Sequence, residues 1–238
     1  MSDSQLVDAY VLHTRKYRDT SLIVELFTRE EGRVAAVIRG ARGKRSRVAG
    51  QIRPFKRFML SWFGRGELKT VKIMDFPYAS IDLAGKSLLL GLYVNELLYR
   101  VTGKFDPMPG IFEEYARLLA DMASGGPVNI PLRRFELTLL NELGYGITFE
   151  SEAGSGRPVE AGSWYRYVPD EGFHEIHEPP AGLYGYKGEH LIAITNGELA
   201  EADVDASAKR VIRASFAALL GDRELKSREL FRKFEELT

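Results

Sequence analysis

Few residues of this 238-residue chain have the type and spacing that catalysis requires. With no cysteine, thiolate nucleophiles, disulfides, iron–sulfur clusters and the common structural zinc sites are excluded together. The four histidines offer one close pair, His174 and His177, flanked by Glu175 and Glu178. A metal needs further ligands, and Gly172 and Pro179-Pro180 predict a loop there rather than a helix that would align the pair. Gly40-Ala41-Arg42-Gly43-Lys44 resembles half of a phosphate-binding loop. It fails where the motif needs a glycine, at Ile38, and where it needs a magnesium-holding hydroxyl, at Arg45. Gly154-Ser155-Gly156 follows no strand–helix unit and reads as a plain loop. There is no Gly-x-Ser-x-Gly elbow and no Ser-His-Asp grouping. The chain is expected to bind rather than react, without catalytic residues, cofactor or metal.

Binding chemistry is concentrated instead in one stretch. Between Gly32 and Gly66 lie Arg33, Arg39, Arg42, Lys44, Arg45, Arg47, Arg53, Lys56, Arg57 and Arg65, with no acidic residue among them. Such a run suits a polyanion, because Lys and Arg that neutralise phosphates release condensed counterions. Glycines around Arg42 let the backbone approach a phosphate closely. The zero net charge hides this polarity. Residues 1–80 hold 16 Lys/Arg against 8 Asp/Glu, a net charge of +8, and residues 81–238 hold 17 against 25, a net charge of −8. One part is expected to lie near nucleic acid, the other to be solvated or to meet protein.

The elements that carry these residues follow from hydrophobic period. Short strands are predicted at Leu6–Thr14, Ser21–Thr28, Gly32–Arg39, Phe55–Trp62 and Glu67–Met74, separated by turn signals. Five strands in about 75 residues fit an OB-fold barrel, although an SH3-like barrel gives nearly the same string. Phe27, Phe55, Phe58, Trp62 and Phe63 supply large rings, either to fill the barrel or to stack on bases.

After Pro77 the spacing becomes helical. Leu83, Leu88, Leu89, Leu92, Tyr93, Leu97 and Val101 form one apolar stripe, with Asp82 as the expected N-cap. Further helices are predicted at Ile111–Met122, Leu132–Leu143 with Gly144 as its stop, Ala206–Leu220, and Ser227–Glu236 with Leu230, Phe231 and Phe234 inward. Residues 145–200, rich in Gly, Pro and Tyr, are expected to hold short irregular strands. The fold class is therefore α+β: an OB-type barrel over 1–80, then a mainly helical partner-binding domain over 81–238. No apolar run approaches the roughly 20 residues a membrane span needs. Met1-Ser2-Asp3-Ser4-Gln5 lacks the regions of a signal peptide, so a cytoplasmic location is expected.

Arg133 and Arg134 precede the apolar stripe of the third helix. Such an arginine serves either to capture a free carboxylate beside an apolar pocket or to pair internally with Glu136 or another helix. The residues alone favour neither.

Several motifs occur together in a fixed order: Gly40-Ala41-Arg42 with its basic loop, Gly91-Leu92-Tyr93-Val94-Asn95-Glu96-Leu97-Leu98, Leu132-Arg133-Arg134-Phe135-Glu136-Leu137, Leu143-Gly144-Tyr145-Gly146 and Lys226-Ser227-Arg228-Glu229-Leu230. With them the chain resembles the RecO family of bacterial DNA repair proteins along nearly its whole length. The resemblance implies an OB-fold that binds single- and double-stranded DNA, annealing of complementary strands, and a nucleoid-associated place in the cytoplasm. It implies as partners the single-stranded-DNA-binding protein SSB, RecR and, indirectly, RecA. It also implies that Arg133, Arg134 and Leu137 form the pocket for the acidic, Phe-ended tail of SSB. Many members carry a four-cysteine zinc site that this chain lacks. An RNA-binding OB protein of translation or ribosome assembly is the rival expectation, and competition between DNA and RNA separates the two.

Overall fold

The computed structural model of the chain describes residues 6–43, 46, 48–179, 184–221, 225–227 and 229–230. Five strands form in the N-terminal part: β1 Val7–Tyr17, β2 Ser21–Thr28, β3 Gly32–Ile38, β4 Arg57–Phe63 and β5 Leu68–Asp75. They close into a barrel in the order β1-β2-β3-β5-β4. β3 and β5 pair parallel, while β4 returns antiparallel to β1 through Val7 opposite Leu60. This closure gives the OB-like barrel. Alternate residues point inward, so Val11, Val24, Leu26, Ala36, Ile38, Phe58 and Leu60 fill the interior. Gly32, at φ +67°, is required at the β2–β3 turn, because a Cβ there would meet Asp106 O at 2.2 Å.

The barrel is not a compact unit on its own. The chain divides into one unit of residues 1–126 with 224–238 and another of residues 127–223, so the first extends well past the expected boundary at residue 80. Helices α1 Gly85–Val101 and α2 Pro109–Ala123 belong with the barrel. Their apolar sides cover the outer face of β1 and β2, where Phe112 and Tyr115 pack on Tyr10 and Phe27 with ring centroids 4.9–6.4 Å apart.

α1 is capped by Ala84, with no side-chain cap, rather than by Asp82. Asp82 lies two residues before that cap, and its Oδ1 is 2.9 Å from Arg53 Nη1 in an exposed ion pair. At the other end of this unit, Leu225 and Ser227 are buried, and the backbone N–H groups of Lys226 and Ser227 donate to the Glu96 carboxylate at 3.0 and 2.8 Å. The expected stripe residues Phe231 and Phe234 lie outside the described residues, and Leu230 is exposed.

The second unit is built from α3 Asn129–Glu142, the strands β6 Trp164–Val168, β7 Gly172–Ile176 and β8 Tyr186–Lys187, and helices α4 Gly188–Thr195 and α5 Ala202–Leu220. The strands form a small antiparallel sheet in the order β7-β6-β8. α3 stops at Leu143, where Gly144 adopts φ +82°. α5 starts four residues before the sequence-based start at Ala206, because acidic Asp203 and Asp205 suit a first turn. Phe135, Leu139, Phe173, Val211, Ile212 and Phe216 are all but fully buried at its centre.

A candidate nucleic-acid interface

The ten basic residues between Gly32 and Gly66 do not act as one surface. Three are used by the fold itself. Arg33 leaves β3 on the outer face, where Nη1 is 3.1 Å from Glu25 Oε2 and Nε and Nη2 each lie 3.3 Å from Thr102 O. Lys56 is buried, donates to Gln51 Oε1 and sits 5.2 Å over the Phe76 ring. Arg57 grips Asp8 with two hydrogen bonds, at 3.2 and 2.9 Å, and lies 4.7 Å over the Tyr78 ring. The hydrogen bonds that Arg57 donates to Asp8 raise the Arg57 pKa further. Burial alone would raise the Asp8 carboxyl, but bonds from Arg57 and from Tyr78, 2.7 Å away, hold it below its ordinary range. All three cations are spent internally, Arg33 and Arg57 on carboxylates that supply the counter-charge a partly buried guanidinium needs, and Lys56 on an amide oxygen and a ring.

The exposed cations are Arg39, Arg42, Arg53 and Arg65. Arg53 is paired to Asp82, and Lys44, Arg45 and Arg47 lie outside the described residues. Arg39 lines a groove of about 440 Å³ with Tyr17, Arg18, Thr20, Ser21, Gly40 and Leu68. Its walls come from the β1–β2 turn, the end of β3 and the start of β5, which hydrogen bonds hold together. The Arg42 N–H donates to Thr20 O at 2.7 Å, and its Nη1 lies 3.3 Å from Arg18 O. The basic loop therefore begins against the β1–β2 turn, and two basic runs distant in sequence share one rim.

That turn is the part the sequence window missed. Arg18 lines the groove, Arg15 and Lys16 are exposed on β1 just before the turn, and the Arg18 guanidinium rests 5.2 Å over the Tyr17 ring. Their signal was present in the run Arg15-Lys16-Tyr17-Arg18, which contributes to the positive charge of the first 80 residues yet precedes Gly32. The aromatics also separate. Phe27, Phe55 and Phe58 are buried and Trp62 packs on the barrel core, while Phe63 is 52% exposed.

In the second unit Arg133 is buried in α3. Its Nη1 donates to Glu136 and its Nε to Asp205 Oδ1 at 3.1 Å, joining α3 to α5. Burial disfavours this charge, but the two carboxylates outweigh that and raise its pKa. The guanidinium is thus matched by internal acids, the intramolecular of the two arrangements open to it. Arg134 points to the exposed side of α3, and Leu137, three residues on, is half-buried. His174 lies on β7, not in a loop, with Nε2 2.9 Å from Glu171. Among the described residues no three His, Cys, Asp or Glu side chains come together as a metal site, and no helix is long and apolar enough to cross a membrane.

Comparison with known proteins gives concordant matches along the chain. A family model described as recombination protein O N terminal matches residues 1–76, and one described as recombination protein O C terminal matches residues 84–229. The DNA repair proteins RecO of Yersinia enterocolitica and of Yersinia pestis are each 42% identical over 227 residues, which span 95% of this chain and 93% of the relative.

Proposed function

Because the chain belongs to the RecO family of DNA repair proteins, with a role in DNA repair and recombination, we propose that it is a non-enzymatic recombination mediator that binds single- and double-stranded DNA and anneals complementary strands. The observation that carries this reading is the groove lined by Arg18 and Arg39, with Arg42 hydrogen-bonded to the β1–β2 turn that walls it. Two strands repel through their phosphates, so a surface that neutralises both lets complementary bases meet without any chemical step. Lys44, Arg45 and Arg47 follow Arg42 within five residues of sequence and add to the same positive charge.

The partners follow from the same reading. DNA in this pathway is coated by SSB, and α3 supplies a surface suited to its acidic, Phe-ended tail. Ile130, Arg134 and Leu137 recur at i, i+4 and i+7, which puts one guanidinium between two apolar side chains on one helix face. Arg133 supports that face from behind through Glu136 and Asp205. RecR is the expected co-mediator and RecA the recombinase loaded on the exposed strand, at a cytoplasmic site on the nucleoid.

The test is annealing of complementary strands coated with SSB, using full-length or tail-deleted SSB. Faster annealing with full-length SSB than with the tail-deleted form, and no nucleotide hydrolysis or strand cleavage with magnesium, is the expected outcome. Failure to anneal even naked strands would overturn the proposal.

A further inference from the structure

The outer face of the barrel carries a cross-strand row that the phosphate-binding rim does not explain. Ile23 on β2 is opposite Val37 on β3, Val37 is opposite Thr70 on β5, and Thr70 is opposite Phe63 on β4. All four point away from the interior, since Val24, Ala36, Val71 and Trp62, their chain neighbours, pack on the inner core. Ile23 and Val37 are buried at the floor, whereas Phe63 stands exposed at the end of the row. In the adjacent row Leu68, opposite Ala35, is 42% exposed. Lys69 ties this edge together, with Nζ 3.1 Å from Gly64 O and 4.9 Å over the ring of Phe105, a third exposed apolar side chain. A phenylalanine half open to water at the end of an apolar row is a surface that wants a partner.

The surroundings identify that partner. Val37 and Thr70 of the row line the same groove as Arg18 and Arg39, and Arg15 is opposite Ile23 on β1. Asp19, Glu67 and Asp106 are the acids next in sequence to the groove and to the exposed apolar side chains, and Glu67 is neutralised by Lys104 at 2.6 Å. An apolar strip beside a line of guanidinium groups matches a chain with phosphates along one side and flat apolar faces along the other. We propose that the Phe63 end of this row is a stacking platform for unpaired DNA bases, so that this residue makes the barrel prefer single strands to duplex. In a duplex the base faces are already stacked on each other, and only the phosphates reach the rim. The inference rests on the proposed DNA-binding role and adds the part of the ligand that the cations do not read.

The test measures binding of the whole protein to three labelled probes: oligothymidylate, an abasic phosphodiester chain of equal length and charge, and a blunt duplex. The parent is expected to bind oligothymidylate about 10-fold more tightly than the abasic chain. Phe63→Ala is expected to remove most of that gap while leaving the abasic chain, the duplex and the salt dependence unchanged, and Phe63→Trp to restore it. Because Phe63 is largely solvated, its truncation leaves the barrel core intact, and circular dichroism of both variants checks this. Equal binding of oligothymidylate and the abasic chain by the parent, or an unchanged gap in Phe63→Ala, overturns the stacking role alone. No binding of any probe overturns the DNA-binding role and this inference with it.

Discussion

Asn95 on α1 places its side-chain Nδ2 3.2 Å from the backbone oxygen of Val11 on β1. The contact lies where β1 bulges, its pairing with β2 skipping Leu12 between Val11 and His13. A bulge leaves backbone groups without a ladder partner, and Asn95 supplies one to Val11 O and, at 3.3 Å, to Leu12 O. Tyr115 of α2 then donates its hydroxyl to Asn95 Oδ1, and burial pushes the Tyr115 pKa well above its ordinary value, which keeps it a donor. Helices and barrel are therefore joined by a satisfied buried network. Replacing Asn95 with Leu is expected to destabilise the protein by about 2–3 kcal/mol, since the bonds from Asn95 to two carbonyls and from the Tyr115 hydroxyl to Asn95 are lost inside the protein. Urea unfolding measures this, and an unchanged midpoint would mean that the network contributes nothing net.

The Asp8–Arg57 pair predicts an acid limb of stability. The folded-state pKa of Asp8 lies below its unfolded value, so the stabilisation is fully present above the unfolded carboxylate range and is lost as pH falls through the folded value. The decline is expected to begin near pH 4. Asp8→Asn should cost about 1–2 kcal/mol at neutral pH and make the acid limb shallower. Parallel acid limbs in parent and variant would assign the pH dependence to other carboxylates.

Salt dependence reports the rim. Arg18→Ala with Arg39→Ala removes two cations bordering the groove, so the slope of log affinity for single-stranded DNA against log salt should flatten by about 1.4. Replacing Lys44, Arg45 and Arg47 together should flatten it by about 2. A triple variant that bound single strands as tightly as the parent at low salt would remove the basic loop from the interface.

Arg133 and Arg134 are expected to differ in kind. Arg133→Ala removes the buried guanidinium that bridges the buried Glu136 to Asp205, and should cost about 3–5 kcal/mol of stability. Arg134→Ala should leave stability within about 0.5 kcal/mol, because its position is exposed, while weakening a peptide of the SSB tail. Calorimetric unfolding alongside peptide titration separates the two. Tail binding unaffected by Arg134→Ala would remove the exposed α3 face from the proposal.

Glu96 holds the last described segment against α1. Burial would raise its carboxyl, but the N–H groups of Ser227 and Lys226 and the nearby Arg100 lower it. Glu96→Ala should expose the chain after Arg223 to limited proteolysis, read by mass spectrometry. Equal cleavage in parent and variant would show that Leu225 burial alone anchors the segment.

The barrel strands were legible because alternation of apolar residues with turn signals is local, and β2, Ser21–Thr28, matches its sequence-based range at both ends. Helix α3 was legible for a similar reason, with Gly144 marking its stop. The β6-β7-β8 sheet was legible only as short strands somewhere in residues 145–200, without bounds or pairing, because its strands are two to five residues long and Gly, Pro and Tyr dilute the period.

By itself the sequence determined the α+β order of elements, the positive sign of the N-terminal part and the family motifs, all properties of residue type and short spacing. Which cations stay exposed was decided only in three dimensions. Arg33 and Arg57 look like Arg39 in the sequence, but Glu25 and Asp8 reach the first two through strand pairing and leave the third exposed. The same holds for Arg133, whose second carboxylate, Asp205, comes from a helix 72 residues away. Charge is written locally, but its neutralisation depends on which distant elements the fold brings within a few ångströms.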